Sequence, residues 1–365
     1  MKNYNNINYK QYIGRVLMKI IATIGPNSSN KKVLFEFINN SVDILRLNFS
    51  HFYEEEFRKI LSYARSIKKD IGIMADLCGK KIRVYENFEK VFKVNYDEVV
   101  YFCSSDVYSI INNNDENVKI IPLSIMSDII QKNNIEKISI KDGSMNFDVI
   151  DKDKIFLKAI SKNSGVIRKG KGCNIPGIDL GESVLSEKDK ISLKWAINNN
   201  INIISQSYVE TSKDILNIRE YIKTINGNLK DIKIFSKIET QLALRNYKEI
   251  ISCSDGIIIA RGDLVPECGL ITSVEEEFDL LRNLKSSNYN KDIIIATHIL
   301  DSMKNGFSST ISELESIYTF INSGVTGFLL AGETSVGKKP VETVKLLKQL
   351  IRAYEKKLPL NCGQT

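Results

Sequence analysis

Apolar, β-branched runs alternate with segments of helical periodicity along most of this chain. The predicted strands cover 18–24, 42–49, 71–77, 201–208, 232–238, 255–261, 292–299 and 326–331. The predicted helices cover 30–40, 52–68, 212–225, 240–252, 273–287, 311–323 and 340–357, and another begins near Ser186. Repeated strand–helix units with right-handed crossovers predict a parallel sheet. Eight such units favour an α/β fold of the closed (β/α)8 barrel type, with a doubly wound open sheet as the alternative.

The alternation stops between the third and fourth strands. Residues 84–184 contain short apolar or alternating runs and turn residues such as Lys141-Asp142-Gly143, a pattern typical of a small β-rich domain. We interpret it as a lid that excludes water from the barrel mouth, with a decorative insertion as the alternative. The predicted organisation is an N-terminal tail (1–17), the barrel (18–83 and 185–358), the inserted lid (84–184) and a C-terminal tail (359–365).

Composition narrows the class of protein. The chain has 365 residues, of which 43% are hydrophobic and 26% charged, so a large core is expected. The net charge of +7 comes without a block of basic residues, which favours small anionic substrates over nucleic acid. Two histidines and six cysteines without a CxxC pair argue against a zinc site. No membrane span or signal peptide is predicted, so we expect a cytoplasmic protein.

Two charged triplets carry the strongest chemical signal. Lys237-Ile238-Glu239 and Arg261-Gly262-Asp263 each end an apolar run, so they are expected at the carboxyl edge of the sheet. Two carboxylates there can hold a divalent cation and leave its other positions to substrate oxygens. An ammonium beside that cation suits phosphoryl transfer. A surface cluster of ion pairs is the alternative.

Other predicted strand ends add polar groups to the same edge. Arg46, Asn48 and Ser50 share one face of the second strand, and Asp76 ends the third. Arg83 lies where the chain leaves for the insertion. Gly262 and Asp263 are predicted to open a short helix whose backbone N–H groups receive a substrate carboxylate or phosphate.

Two further segments give weaker signals. At the end of the seventh strand, alternation favours Thr297 over His298 as the inward group. The segment Gly332–Lys339 nearly matches a phosphate-binding P-loop, but Lys339 replaces the Ser or Thr that would ligate magnesium. We interpret this segment as a strand–helix loop with Pro340 at a helix start.

Motifs in collinear order resemble those of the pyruvate kinase family from Ile20 to about Leu358. They are Ala22-Thr23-Ile24-Gly25-Pro26, Arg46 to His51, Asn174-Ile175-Pro176-Gly177, Leu185 to Lys190, Ser236 to Glu239, Ala260 to Leu264, Ala296-Thr297 and Gly332-Glu333-Thr334. The resemblance implies a TIM barrel with a β-domain lid inserted after strand three. It also implies phosphoryl transfer between phosphoenolpyruvate and ADP, giving pyruvate and ATP.

Roles follow from the resemblance where residues match. Glu239 and Asp263 would bind Mg²⁺ or Mn²⁺, and Lys237 would stabilise the moving phosphoryl group. Thr297, with the backbone of Gly262 and Asp263, would seat the pyruvyl carboxylate and lie near the proton delivered to the enolate. The remaining assignments are Arg46 and Arg83 for phosphates, Asn48, His51 and Lys171 for the nucleotide, Asp142 for the closing lid, and Ser207 as the family's serine after strand four.

Departures from the family qualify these expectations. Lys81 stands where potassium-dependent members carry glutamate, so its ammonium is expected to replace K⁺ near Asn48, Ser50, Asp76 and Leu77. The pocket rim is expected to be changed at Glu210, Val265 and His298, and Leu77-Cys78 replaces the family's usual threonine-lysine. Because the chain stops after the eighth helix, without the family's C-terminal domain, we expect no effector regulation of the usual kind and a monomer or homodimer.

Three functions remain open from the sequence. The first is a minimal pyruvate kinase. The second is a paralogue that uses the same metal and lysine on another enol or carboxylate substrate. The third is a non-catalytic binding or regulatory protein, which is disfavoured because Lys237, Glu239, Asp263, Thr297 and Arg46 are all present.

Overall fold

A computed structural model describes residues 18–111, 118–181, 185–225, 228–287 and 289–356. The predicted tails, 1–17 and 359–365, lie outside these described residues. Among the described helices, none has both the length and the apolarity needed to span a bilayer.

The barrel begins with three strands, and an inserted unit follows them. The barrel strands are β1 (Lys19–Thr23), β2 (Ile44–Asn48) and β3 (Gly72–Leu77). The inserted strands are β4 (Phe92–Val94), β5 (Val99–Ser104), β6 (Ile120–Leu123), β7 (Lys137–Ile140), β8 (Met145–Lys152), β9 (Leu157–Ser161), β10 (Gly165–Ile167) and β11 (Cys173–Asn174). The barrel then resumes with β12 (Ile203–Gln206), β13 (Lys233–Ile238), β14 (Gly256–Ala260), β15 (Asp292–Ala296) and β16 (Gly327–Leu330).

Eight parallel strands close on themselves in the order β1-β16-β15-β14-β13-β12-β3-β2. Closure pairs the first strand with the last, with Lys19 opposite Gly327. The strands are apolar on both faces, as in β14, where Gly256-Ile257-Ile258-Ile259-Ala260 is buried throughout. This arrangement confirms the predicted (β/α)8 barrel and excludes the open sheet.

The helices around the barrel follow the predicted order, with two unpredicted short helices, Asp301–Lys304 and Gly332–Ser335, and two predicted helices whose bounds differ. The helices around the barrel are Lys31–Asn39, Glu54–Ile67, Glu187–Asn198, Ser212–Thr224, Gln241–Arg245, Tyr247–Cys253, Arg261–Cys268, Leu270–Ser286, Asp301–Lys304, Ile311–Asn322, Gly332–Ser335 and Pro340–Glu355. The predicted helix 240–252 is broken at Asn246. The predicted helix 273–287 begins earlier, because Gly269 at φ 84° separates it from the helix that starts at Arg261.

Two apolar layers form the core, one inside the barrel and one around it. The inner layer is small and includes Ile21, Met74, Phe235, Ile258 and Leu329, all buried. The larger outer layer lies between the strands and the surrounding helices. Because the barrel axis is packed with side chains, open space for a ligand is expected at the ends of the strands.

The inserted unit is β-rich, as predicted, and has its own hydrophobic core. Six strands form a mixed sheet in the order β11-β7-β8-β9-β5-β6, and β10 pairs with β4 in a two-stranded sheet. Two short helices, Ser105–Tyr108 and Ser127–Lys132, lie within it. The unit is therefore a folded domain between β3 and β12 rather than an extended loop.

The exit from β3 is held against the helix that follows the insertion. Ser186 caps that helix by accepting a hydrogen bond from the Asp189 amide at 3.1 Å. The Asp189 carboxylate accepts the amides of Cys78 (2.9 Å) and Gly79 (3.0 Å). Gly79 has φ 63°, and a Cβ there would lie 2.1 Å from the Ser207 carbonyl oxygen. This junction needs glycine, and it fixes where the inserted domain starts.

Candidate active site

A cavity of about 200 Å³ lies at the carboxyl end of the barrel strands. Its lining combines residues from seven of the eight barrel strands or their following loops with Asp142 of the inserted domain. Twelve residues singled out from the sequence line it together: Arg46, Asn48, Ser50, Asp76, Lys81, Arg83, Asp142, Ser207, Lys237, Glu239, Asp263 and Thr297. The predicted convergence of charged side chains at this edge is therefore present.

Lys237 lies at the centre of this cluster, near the end of β13. Its Nζ is 2.8 Å from Glu239 Oε1, 2.9 Å from Ser207 Oγ and 3.7 Å from Asp76 Oδ2. Burial opposes the charged form, but Asp76 and Glu239 outweigh it and raise the pKa of the Lys237 ammonium. The lysine is therefore cationic at neutral pH and held in one orientation.

Arg46 and Asp76 form a buried ion pair beside Lys237. Asp76 Oδ2 accepts from Arg46 Nε at 3.0 Å, and Arg46 NH1 donates to Thr23 Oγ1 at 2.8 Å. Although burial raises the pKa of Asp76, Arg46 and Lys237 more than offset this and hold it below its usual value. Much of the Arg46 guanidinium is thus engaged with the barrel wall, while the residue still lines the cavity.

Glu239 and Asp263 offer oxygen ligands of the kind that Mg²⁺ or Mn²⁺ prefers. Glu239 is 1% exposed, and its Oε1 lies 2.8 Å from the Lys237 ammonium. Burial raises the pKa of the Glu239 carboxyl. Within the described chain, no group of three or more His, Cys, Asp or Glu side chains is arranged to hold a metal ion. The Glu239 and Asp263 carboxylates therefore suit a cation that takes its remaining ligands from substrate or water.

Lys81 contacts a different part of the site from the one expected. Its Nζ is 2.6 Å from Asp263 Oδ1 and 3.3 Å from Asp142 Oδ1, and it lies 5.6 Å from the centre of the Tyr208 ring. Burial opposes ionisation of Asp263, but Lys81 outweighs it and lowers the pKa of that carboxyl. The ammonium therefore joins the barrel carboxylate to the inserted domain.

The residues assigned to phosphates and nucleotide are only partly brought together. Arg83 donates to Ser50 Oγ at 3.0 Å and to the Gly170 carbonyl at 2.9 Å, and so bridges barrel and insertion. Asn48 lines the cavity, but His51 and Lys171 do not. The Lys171 ammonium instead contacts the Val166 carbonyl within the insertion.

Thr297 lines the cavity, whereas His298 is exposed outside it. Both residues have positive φ, 67° and 52°, at the end of β15. Thr297 Oγ1 donates to the Ala296 carbonyl at 2.6 Å and accepts the Gly262 amide at 2.8 Å. The Gly262 N–H is thus engaged with the threonine, in contrast to the expectation that it receives a substrate carboxylate.

One residue at the site, Tyr208, was not assigned a role from the sequence. Tyr208 lines the cavity and contacts both candidate metal carboxylates, and Asn174 donates to its hydroxyl at 2.8 Å. Leu77, which was expected near a monovalent cation, accepts the Ser207 hydroxyl at its carbonyl at 2.8 Å. The available signal for Tyr208 was its position directly after Ser207 at a strand end.

A second cavity, of about 400 Å³, lies on the other side of Tyr208. Glu210 lines it and lies 3.5 Å from Lys80, whose ammonium is 2.8 Å from Asp214. None of the substituted residues Glu210, Val265 and His298 lines the catalytic cavity. The changed rim is therefore outside the cluster around Lys237.

Comparisons with known proteins agree with this geometry. The family described as "Pyruvate kinase, barrel domain" matches residues 16–344. Proteins named pyruvate kinase from Candida albicans, Thermoplasma acidophilum and Thermotoga maritima are 32%, 31% and 30% identical to the chain. These matches cover 92–93% of the chain but only 66%, 58% and 71% of those proteins. On its fold, its cluster of strand-end residues and this match, the chain belongs to the pyruvate kinase family.

Proposed function

We propose that the protein transfers a phosphoryl group between phosphoenolpyruvate and ADP, giving pyruvate and ATP, with a divalent metal and without a requirement for K⁺. The observation that carries the proposal is the Lys237 ammonium, held by Ser207, Glu239 and Asp76 beside two carboxylates. A fixed cation that is buried with its counter-charges acts strongly on charge that develops in the transition state. The relatives named pyruvate kinase support the choice of substrates.

The side chains around Lys237 divide the work of the reaction. Lys237 would contact the phosphoryl group while the bond from the enol oxygen breaks and the bond to the terminal ADP oxygen forms. Its contacts to Ser207 and Glu239 keep the ammonium in place, so little reorganisation is needed. Arg46 and Arg83 add positive charge on the side of Ser50 and Asn48, where phosphate oxygens would lie.

Glu239 and Asp263 would hold Mg²⁺ or Mn²⁺, which when bound neutralises phosphate charge and orients substrate oxygens. Both carboxylates line the same cavity, which supports this assignment. Lys81 offers Asp263 a second positive charge at 2.6 Å. That fixed charge is the basis for proposing activity without K⁺.

The pyruvate enolate left by phosphoryl transfer takes a proton at its methylene carbon. Thr297 is the hydroxyl placed near the far wall of the cavity, beside Ala296 and Ala331. We assign it to the substrate carboxylate region and to orienting the proton donor. His298 would take no part, because its side chain lies outside the cavity.

A change of substrate is the alternative that the sequence left open. It rested on the replaced residues Glu210, Val265 and His298, and these do not line the catalytic cavity. Glu210 instead belongs to the larger neighbouring cavity. Their positions favour the first function over a paralogue with a different acceptor.

A coupled assay tests the proposal directly. Purified protein is supplied with phosphoenolpyruvate, ADP and Mg²⁺, and pyruvate is followed through lactate dehydrogenase. Pyruvate formation that requires both ADP and the metal is expected. Tight binding of phosphoenolpyruvate without any turnover would point to a regulatory protein, and turnover with a different enol phosphate alone would point to the paralogue.

A further inference from the structure

We infer that Tyr208 is a positioning residue that fixes the two candidate metal carboxylates, Glu239 and Asp263, relative to each other. The inference rests on the proposed function, because it assigns a role within the same site. It goes beyond the roles already assigned because none of them includes Tyr208. It concerns a single hydroxyl group, so the prediction can be separated from general effects on packing.

One residue donates to both carboxylates. The Tyr208 backbone N–H donates to Glu239 Oε2 at 2.7 Å, and the Tyr208 hydroxyl donates to Asp263 Oδ1 at 2.9 Å. Glu239 follows β13 and Asp263 lies in the helix after β14, so both carboxylates lie just beyond the paired ends of these strands, where Ile238 is opposite Ile259. Tyr208 therefore acts as a rigid bridge between two elements.

The backbone of Tyr208 is shaped for this double contact. Its φ is 54°, in the left-handed region that residues with side chains seldom adopt. Such conformations persist where the surroundings hold them, and they cluster at ligand sites. Tyr208 is 7% exposed, and its ring is packed between the two cavities.

Asn174 determines the direction of the hydroxyl proton. Its Nδ2 donates to the Tyr208 oxygen at 2.8 Å and also lies 3.2 Å from Glu267 Oε1. An amide nitrogen can only donate, so the Tyr208 oxygen accepts there and its own proton points to Asp263. Asn174 lies in β11, at the return from the insertion. The inserted domain thus supports the carboxylate pair through Tyr208.

The pattern of contacts distinguishes the two oxygens of each carboxylate. The side-chain donors to Asp263, from Lys81, Tyr208 and Asn174, all contact Oδ1. On Glu239, the Tyr208 amide contacts Oε2, while Oε1 lies 2.8 Å from the Lys237 ammonium. Groups that orient metal ligands in this way typically change metal affinity by about 10- to 100-fold when removed.

The test is a titration of the substrate-free protein with Mn²⁺, followed by electron paramagnetic resonance. Tyr208→Phe keeps the ring and the backbone N–H and removes only the hydroxyl. We expect its affinity for Mn²⁺ to fall by about tenfold. Tyr289→Phe is the matched control, since the Tyr289 hydroxyl is buried and has no hydrogen-bond partner in the part of the chain described. Its affinity should equal that of the wild type.

Two further measurements separate the possible outcomes. Glu239→Gln gives the reference for loss of a ligand, and thermal denaturation in EDTA reports whether each variant folds. A Tyr208→Phe variant that folds and binds Mn²⁺ as tightly as the wild type would overturn the inference, even if pyruvate is produced. Weaker Mn²⁺ binding by Tyr208→Phe in a protein without pyruvate kinase turnover would refute the proposed function and leave the role of Tyr208 intact. A wild type that binds no Mn²⁺ would overturn both.

Discussion

The two ends of the barrel use ion pairs in different ways. At the amino end, Lys19 at the start of β1 donates to Asp292 at the start of β15 at 2.7 Å, and the lysine side chain is 33% exposed. At the carboxyl end, the Lys237–Glu239 pair is almost completely buried, with side chains 13% and 1% exposed. The amino-end pair is therefore part-buried, with the Asp292 side chain 13% exposed, and the carboxyl-end pair is more completely withdrawn from water.

The two ends of the barrel also differ in how their carboxylates are hydrogen-bonded. The Asp43 and Asp255 carboxylates at the amino end accept strand amides at 2.8 Å and so align neighbouring strands. At the carboxyl end, Asp76 Oδ1 is buried and accepts no hydrogen bond among the described residues. Burying charges in this way costs stability. The contrast teaches that the amino end is built to hold the barrel and the carboxyl end to act on a ligand.

The largest expected effect is on turnover. Lys237→Met should lower kcat by about a thousandfold, because it removes a preorganised cation while keeping the length of the side chain. The matched variant Lys19→Met, at the opposite end, should change kcat by less than about twofold, because neither Lys19 nor Asp292 lines the cavity around Lys237. The coupled pyruvate assay measures both. Retention of more than about a tenth of the activity by Lys237→Met would contradict this role.

Substitution of Arg46, the cation beside Lys237, should show how strongly an unpaired buried charge lowers the free energy of unfolding. In Arg46→Met, Asp76 loses its main partner, so the free energy of unfolding should fall by about 3 kcal/mol. Lys19→Met should lower it less, by about 1 kcal/mol, because Lys19 is one-third exposed and the Thr326 hydroxyl still donates to Asp292. Urea denaturation of the metal-free proteins gives both values. Equal losses would show that the two ends do not differ as described.

The end of β15 offers a comparison of adjacent residues. Thr297→Ala should lower kcat by about 10- to 100-fold, since it removes a hydroxyl in the cavity and the acceptor of the Gly262 amide. His298→Ala should stay within about threefold of the wild type, because surface changes usually have small effects. Steady-state kinetics at saturating substrate compares them. A larger loss for His298→Ala would reverse the assignment.

Glu277 should make stability depend on pH. Burial raises the pKa of its carboxyl to about 7, although Arg261 partly opposes this. The folded protein therefore holds a proton that the unfolded chain releases near pH 4. The contribution of this group to the free energy of unfolding is fully present below that pH and is lost as the pH rises through about 7. Glu277→Gln, which imitates the protonated form, should reduce the loss of unfolding free energy between pH 5 and 8. An unchanged loss would rule out this titration.

The smallest expected effect is that of potassium. Lys81 supplies a fixed ammonium 2.6 Å from Asp263, so turnover with Mg²⁺ should differ by less than about twofold between K⁺ and tetramethylammonium salts of equal ionic strength. The same coupled assay measures this. Strong activation by K⁺ would show that Lys81 does not replace the monovalent ion.

The sequence predicted the barrel because its strands are long apolar runs and its helices have clear periodicity. The breaks at Asn246 and Gly269 were missed, since each depends on a backbone conformation at one residue within a helical pattern. Residues at strand ends, such as Lys237 and Asp76, could be placed because parallel strands bring their ends together.

Residues that depend on loops and on the inserted domain were harder to place. Lys171 and His51 lie outside the cavity around Lys237. Their positions could not be predicted, because strand periodicity does not encode the position of a loop. The contact of Lys81 with Asp263 joins the exit of β3 to the helix after β14. Tyr208 was missed because its role depends on a positive φ that the local sequence does not indicate.

The Ser207–Leu77 hydrogen bond joins residues 130 positions apart in the chain, across the adjacent strands β3 and β12. Pairing these strands from an unfolded chain requires closing a very long loop, which slows folding. The inserted domain shortens that loop if it folds first, because it has its own core. The domain would then serve the barrel during folding as well as at the active site. Destabilising the insertion should slow refolding of the barrel while affecting its unfolding rate much less.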